Sequence, residues 1–310
     1  MKKYAFYLIL LLLAVAFPFY IDGYLLHVFL TIFIFMTMAL SWDMMLRTGQ
    51  LSFANAGFFG MGGYVSMVTV SSLEIDPLLS LIFAVVFAAA VAFILGLPVL
   101  KLRGIYFAIV TLALAHVFEV IAMNLEITGG STGMVLPEAI FGGDMQLLYW
   151  LVLGMALLTI GISEFFARSR MHYAMHSIRN DELTAQASGI NVSRTLIIVF
   201  VTSSALQGLA GAIYVQQYAF VLPESTFSLD YLLLPIAMAL VGGTLSTAGP
   251  VVGAIFLGLI SEYLRLIMPY GHLLIYGLVI AVIILFMPGG IYKPVRNIIL
   301  NRILNLGGAS

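Results

Sequence analysis

The sequence predicts an all-α, polytopic transmembrane bundle of about ten helices, with roughly 8–11 spanning segments compatible with the run lengths. Three observations predict it. The 310-residue chain is 62% hydrophobic and only 9% charged, with a mean hydropathy of +1.11. Apolar runs of near-membrane length recur along it. Lysine and arginine gather in alternate connections between those runs. A soluble domain carries roughly 25% charged residues, so this chain lacks the polar surface to cover a globule in water. A net charge of −1 leaves no basic field for nucleic acid. The absence of cysteine excludes disulfides, thiolate metal sites and cysteine nucleophiles, and the five histidines never fall as HxH or HExxH.

In lipid the backbone has no solvent partner, so the apolar runs must be helices. They lie near residues 4–20, 25–46, 53–71, 78–98, 104–124, 147–166, 195–218, 231–245, 249–267 and 272–287. The run at 231–245 is short for a bilayer and is expected to be tilted, broken or re-entrant. The first run, preceded by Lys2 and Lys3 and containing Ala14-Val15-Ala16, has two readings, a cleaved signal or an uncleaved first helix. Its continuation through Tyr20 favours the helix, and in both readings the N-terminus begins in the cytoplasm.

Counting connections from a cytoplasmic N-terminus puts Lys2, Lys3, Arg47, Lys101, Arg103, Arg168, Arg170, Arg179, Arg194, Lys293, Arg296 and Arg302 inside, leaving Arg265 as the one exception among thirteen. The outside connections carry Asp22, Glu74, Asp76, Glu138, Asp144, Glu224 and Asp230. A miscounted helix would scramble this separation, so an even number of spans with both termini cytoplasmic is expected. The organisation is one membrane domain, residues 1–290, holding a cytoplasmic segment at 168–194. A basic and apolar cytoplasmic tail follows at 291–310, suited to the membrane surface. A four-residue echo, Gly49-Gln50-Leu51-Ser52 and Gly243-Thr244-Leu245-Ser246, follows two different helices; it is too short to establish an internal repeat.

Within the cytoplasmic segment, Asp181 and Glu182 fall early, Ala185 and Ala187 are small, and Gly189 suits a position just past a helix end. This reads as a short surface helix ending at Gly189, followed by a helix capped by Asn191 or Ser193. Two uses are open, a docking helix for another protein or a solvated loop helix. The order Ile178-Arg179-Asn180-Asp181-Glu182, Ala185 and Gly189-Ile190-Asn191 resembles the coupling segment of ABC-importer permeases of the branched-chain amino-acid LivH/LivM family, on its LivM side. Gly49-Gln50-Leu51-Ser52-Phe53-Ala54 with Gly57, Gly60 and Gly63-Tyr64 resembles the family's early glycine-rich helix. Leu102 to Leu112, Thr128 to Gly133, Gly208 to Ala212 and Gly242 to Pro250 resemble further family stretches in the same order. Asn180 departs from the pattern, where an acidic residue is expected.

The resemblance implies that Arg179, Asp181, Glu182, Ala185 and Gly189 seat in a cleft of a separate cytoplasmic ATPase subunit. It implies a second, LivH-like permease, a substrate-binding protein outside, and residence in a bacterial or archaeal inner membrane. Leucine, isoleucine and valine are the implied cargo, with urea or another small polar compound as the alternative within the family. No cofactor is implied in this chain; ATP is used by the partners. No GxxxxGK[ST] motif occurs in the sequence, and no enzymatic role is expected. A standalone secondary transporter and a membrane enzyme are the competing classes, separable by ATP-stimulated transport and by activity of the isolated chain on a lipid.

Gly57, Gly60 and Gly63 suit close helix contact, with a hinge or pathway-lining backbone as the other reading. Asp43 with Arg47, and Glu164 with Arg168, are expected as i,i+4 salt bridges at the membrane interface. His116 and Glu119, with Glu262 and Arg265 on a later helix, fall in the outer half of the bilayer, where ionised groups need partners. An intramembrane pair of Glu119 with Arg265 is expected, while Gly49, Ser52, Thr111, His116 and Glu119 are candidates for the translocation path. Reporter tags placed near positions 75, 140 and 225 should all appear on the membrane side opposite a tag on the C-terminal tail; finding them in the tail's compartment would overturn this map.

Overall fold

The computed structural model describes residues 14–20, 23–137, 139–267, 272–287 and 289–292. Most of the first apolar run, Lys2, Lys3, Asp22, Glu138, Lys293, Arg296, Arg302 and nearly all of the tail lie outside the described residues. Twelve helices follow in order: α1 Gly23–Leu46, α2 Asn55–Leu73, α3 Pro77–Val99, α4 Ile105–Asn124, α5 Met145–Arg168, α6 Arg170–Asn180, α7 Glu182–Ala187, α8 Val192–Tyr218, α9 Pro223–Thr226, α10 Asp230–Gly242, α11 Ala248–Ile267 and α12 His272–Phe286. Among the described residues, eight segments are long and apolar enough to cross a membrane, with α9 and α10 counting together as one over Pro223–Gly242. The chain is an all-α polytopic membrane protein, and among the described residues its long apolar helices fall on the expected runs from 25–46 onward.

The fold adds one element that the apolar pattern hides. Strand β1, Met134–Val135, pairs antiparallel with β2, Phe220–Val221, in the register Met134↔Val221. This ribbon ties the glycine-rich connection after α4 to the end of α8. The acidic connections also have local work. Asp76 Oδ1 accepts the Leu78 N–H at 2.8 Å and Asp144 Oδ1 accepts the Gln146 N–H at 2.8 Å, capping α3 and α5. A carboxylate suits a helix N-terminus, where free N–H groups and the helix dipole favour negative charge.

Helix α8 is the hub of the bundle, packed against α1, α2 and α3. Its seam with α2 is backbone on backbone. A Cβ at Gly62 would stand 2.0 Å from the Gly208 carbonyl oxygen, and one at Gly211 would stand 1.8 Å from that of Phe59. Helix α3 offers α8 a stripe of small residues at four-residue spacing, with Ser80, Ala84, Ala88, Ala92 and Gly96 all buried. Its opposite face, including Ile82, Phe83, Val86, Phe87, Ile94 and Leu97, is exposed and wholly apolar. Lipid tails are as apolar as leucine, so close van der Waals contact between small residues takes over the role that hydrophobic burial plays in water. Gly57 and Gly60 serve the same close-contact role elsewhere, against Ala115 of α4 and the Phe227 ring.

Two buried polar layers cross these seams. Gln207 of α8 donates to Asn55 Oδ1 of α2 at 2.9 Å and to Ser41 Oγ of α1 at 3.3 Å. Nearer the other end of α8, Gln216 donates to Ser66 Oγ at 3.1 Å and accepts the Ile140 N–H at 3.2 Å. The short span at 231–245 is a broken helix: α9 and α10 are separated by residues 227–229, and α10 has 13 residues with Pro235 inside it. At 1.5 Å per residue α10 covers about 20 Å, short of the roughly 30 Å hydrocarbon core.

The α2–α8 seam is open to test. Gly62→Ala should destabilise the protein by about 1–3 kcal/mol, as overpacking a closed contact does, read as a lower midpoint of thermal unfolding in detergent. Gly161→Ala, on α5 with nothing within 4 Å of its added methyl, should leave that midpoint unchanged or raise it.

Candidate functional site

The 168–194 segment folds as two short helices set at an angle by one residue. Ser169 caps α6, its Oγ accepting the Met171 N–H at 3.2 Å. Asp181 takes an extended conformation, φ −159° and ψ 115°, ending α6 and starting α7. Its Oδ1 accepts the Leu183 N–H at 2.8 Å and the Thr184 N–H at 3.0 Å. These hydrogen bonds, Thr184 first, hold its carboxyl below the usual carboxylate range against the opposing effect of desolvation. Gly189 closes α7 with φ +84°, a left-handed conformation that glycine adopts without Cβ strain. Asn191 then caps α8, accepting the Arg194 N–H at 3.0 Å, which decides between the two caps that the sequence left open.

The five residues expected to face a partner divide. Ala185 is buried, in the cluster that also holds Met175, Ile178, Val192 and Leu196, so it serves the packing of the segment and offers only the floor of a groove. Glu182 is engaged by Arg103 in an ion pair that ties α7 to the connection between α3 and α4. Arg179 is half-buried and lies over Gly49, where a Cβ would meet the Arg179 Cα at 3.1 Å. Asp181 and Gly189 remain exposed. The outward face is completed by two residues that sequence reasoning passed over, Leu183 at 77% and Tyr173 at 74% exposure. On the same segment a groove of about 180 Å³ is lined by Ser177, Asn180, Asp181, Thr184, Ala185 and Ser188. Their signal was an apolar or aromatic residue at polar surroundings outside any membrane run.

Beneath this segment lies a charge network. Asp43 and Arg47 are 0% and 6% exposed, so the expected interfacial pair is instead fully inside the protein. Arg47 Nε and Nη2 each stand 2.9 Å from Asp43 Oδ2. Arg47 Nη2 also donates to Ser163 Oγ of α5 at 2.9 Å, and Ser163 Oγ meets Thr247 Oγ1 at 2.9 Å. The second carboxylate oxygen, Asp43 Oδ1, accepts the Leu245 backbone N–H at 2.6 Å. The sequence placed the pair at a helix end and could not see that α5 and the 243–247 turn close over it. Glu164 and Arg168, by contrast, form the expected exposed pair at 2.6 Å.

Gly49, Ser52 and Thr111 come together at the same end. The Ser52 carbonyl accepts the Trp42 indole N–H at 2.9 Å, and Thr111 Oγ1 accepts the Phe53 N–H at 2.9 Å. Each of these groups is engaged by protein partners, and Ser52 and Thr111 are buried. His116 and Glu119 lie apart from them on α4. The Glu119–Arg265 pair does not form among the described residues. Glu119 is within 3.2 Å of His116 Nδ1, one turn away on its own helix, and that local partner removes the need for a distant one. Glu262 accepts from the Tyr24 hydroxyl, and Arg265 sits near the same group. His27 completes this outer cluster, accepting from Gln217 Nε2 at 2.9 Å and meeting the Tyr218 hydroxyl at 3.2 Å.

Residues 24–287 match the family described as branched-chain amino acid transport system, permease component. The chain is 27% identical to the high-affinity branched-chain amino acid transport system permease protein LivM of Escherichia coli K12, over 95% of this chain and 76% of that one. It is 26% identical to a LivM branched-chain amino acid transport permease of Methanocaldococcus jannaschii, over 64% of this chain and 63% of the relative. The ribose import permease RbsC of E. coli K12 is 25% identical over 74% of each chain. No solved structure matches.

The Asp181 cap yields a pH-dependent expectation. Its folded carboxyl is held low, so the cap is intact above the ordinary Asp range and is lost only as pH falls through the depressed value. Protection of the Leu183 and Thr184 amides, expressed relative to the intrinsic exchange rate at each pH, should therefore be high at neutral pH and fall in acid. Asp181→Ala should abolish that protection at neutral pH and Asp181→Ser should keep most of it, since serine also caps.

Proposed function

We propose, from the premise that this chain belongs to the branched-chain amino acid transport system permease family, that it is a membrane-spanning permease subunit of an ATP-driven importer of leucine, isoleucine and valine. The observation that carries this reading is the family match itself, which runs from the first turn of α1 to the end of α12. The family is one of transport permeases rather than enzymes. The cargo rests on relatives named for branched-chain amino acid transport in a bacterium and an archaeon.

In this reading hydrolysis takes place on separate ATPase subunits, which is consistent with the lack of a phosphate-loop motif in the sequence. The ATPase seats against the outward face of the 168–194 segment. Leu183 and Tyr173 supply apolar anchors, Asp181 and the groove beside it supply polar register, and Arg179 and Glu182 fasten the segment to the membrane helices. Exposed apolar side chains beside a groove are the kind of anchor that dominates interface energetics. A second permease subunit and a binding protein on the far side complete the assembly. Nucleotide-driven closure of the ATPases then tilts the helices around a shared path, giving alternating access.

Reconstitution of the chain with its ATPases, second permease and binding protein tests this. Enclosed ATP should drive uptake of labelled leucine, with competition by isoleucine and valine and little by urea or ribose. Uptake driven by a sodium or proton gradient without ATP would overturn it. Leu183→Asp should cut ATP-driven uptake at least about tenfold, the loss expected for an interface anchor, while the membrane level of the chain stays the same.

A further inference from the structure

The buried Asp43–Arg47 pair stands between two parts of the protein that differ in character. On one side is the 168–194 segment. Arg179, in the last turn of α6, lies directly on Gly49, which follows α1 with φ +86° and where a methyl group would stand a tight 3.1 Å from the Arg179 Cα. Gly49 is two residues beyond Arg47. A displacement of α6 therefore reaches the end of α1 through a contact with no slack, because close-packed interiors pass on movement rather than absorb it.

On the other side is the 243–247 turn that joins α10 to α11. Leu245 holds φ +64° there, a left-handed conformation that a leucine side chain rarely adopts. Its N–H is received by Asp43 Oδ1 at 2.6 Å. Thr247, at the far end of the turn, meets Ser163 Oγ, the same hydroxyl that Arg47 binds. The turn is pressed on its other flank by the chain after α12, where Ile291 donates its N–H to the Val241 carbonyl at 2.8 Å. Helix α10 is the short, proline-containing half of a broken span, so it can move as a small rigid piece without dragging a full-length helix.

A pair that only held helices together could have its second carboxylate oxygen met by any nearby donor. Here that oxygen holds a backbone N–H in an unfavourable conformation, and releasing it lets Leu245 relax and re-aim the α10–α11 connection. A turn held in this conformation by one hydrogen bond, and free to leave it when the bond is lost, is the kind of element that a switching mechanism needs. We infer that Asp43 is a positioning residue for transport: it carries displacement of the 168–194 segment, through Gly49 and the end of α1, to the 243–247 turn and so to the inner half-helix α10. This rests on the importer reading above.

The test uses the complete transporter in proteoliposomes. The chain has no cysteine, so in a complex whose partner subunits are also free of cysteine, single labels at Ala187→Cys, exposed at the end of α7, or at Leu245→Cys report from each end, and the second keeps the backbone N–H that Asp43 holds. Asp43→Ala combined with Arg47→Met removes the pair without stranding a buried charge. With the pair intact, ATP should shift the emission of both labels. In the double variant the shift should persist at position 187 and vanish at 245, and leucine moved per ATP should fall about tenfold, within the usual span of coupling free energies. A merely structural role would lower the amount of assembled complex and leave leucine moved per ATP unchanged, which overturns the proposal, as does an undiminished shift at 245. Gly49→Ala interrupts the same route from its other end and leaves the pair in place; the ratio should fall there too, and an unchanged ratio overturns the proposal where the double variant assembles poorly. Uptake by the unaltered complex, measured alongside, bears on the importer reading separately.

Discussion

An ionised side chain surrounded by lipid and protein has no water to stabilise it, so the Asp43–Arg47 pair exists only because every arm of it is met. One carboxylate oxygen receives the guanidinium, the other receives the Leu245 N–H, and the guanidinium also donates to the Ser163 hydroxyl and carbonyl. Removing a single partner from such a set strands a charge and typically costs about 3–5 kcal/mol. The pair consequently dictates more than its own geometry. It fastens α1 to α5 and both to the α10–α11 turn, at the end of the bundle where the 168–194 segment rests.

Away from that end the bundle is held by a different economy of contacts. Small residues bring α2, α3 and α8 to backbone contact, and glutamines at two levels of α8 bridge to hydroxyl and amide groups on its neighbours. Such polar bridges contribute about 0.6 kcal/mol on average in membranes; their larger effect is on register, since a shifted helix would leave each amide unpaired. The half-buried and exposed surfaces then differ by helix. The outer face of α3 is apolar throughout, as a lipid-facing surface should be, whereas α4 carries the His116–Glu119 pair on its more exposed side.

The 168–194 segment shows how one short stretch serves two masters. Ala185 and Glu182 turn inward, to α8 and to Arg103, and give the segment a fixed seat. That seat frees Leu183, Tyr173 and Asp181 to face outward. A segment loosely tethered could bind a partner yet transmit little; a segment seated through an ion pair and a glycine contact can do both.

Much of this was legible in the residues alone. Hydropathy and the segregation of lysine and arginine determined the class, the apolar runs and the shortness of 231–245, because bilayer thickness and the cost of charge in lipid act on composition and spacing without regard to packing; that this span is broken rather than tilted or re-entrant was decided by the structure. Helix punctuation at Asp181, Gly189 and Asn191 was legible too, since capping depends on immediate neighbours. Which residues face each other was not. The i,i+4 spacing of Asp43 and Arg47 reveals that they can pair, but only the closure of α5 and the 243–247 turn over them buries the pair. Glu119 found its partner three residues away, and Ala185, read as a contact surface, became core. Burial and long-range partnership depend on how helices far apart in sequence are stacked, and in a chain where nearly every helix is apolar on all sides, periodicity carries no record of that stacking; it was decided by the tertiary structure.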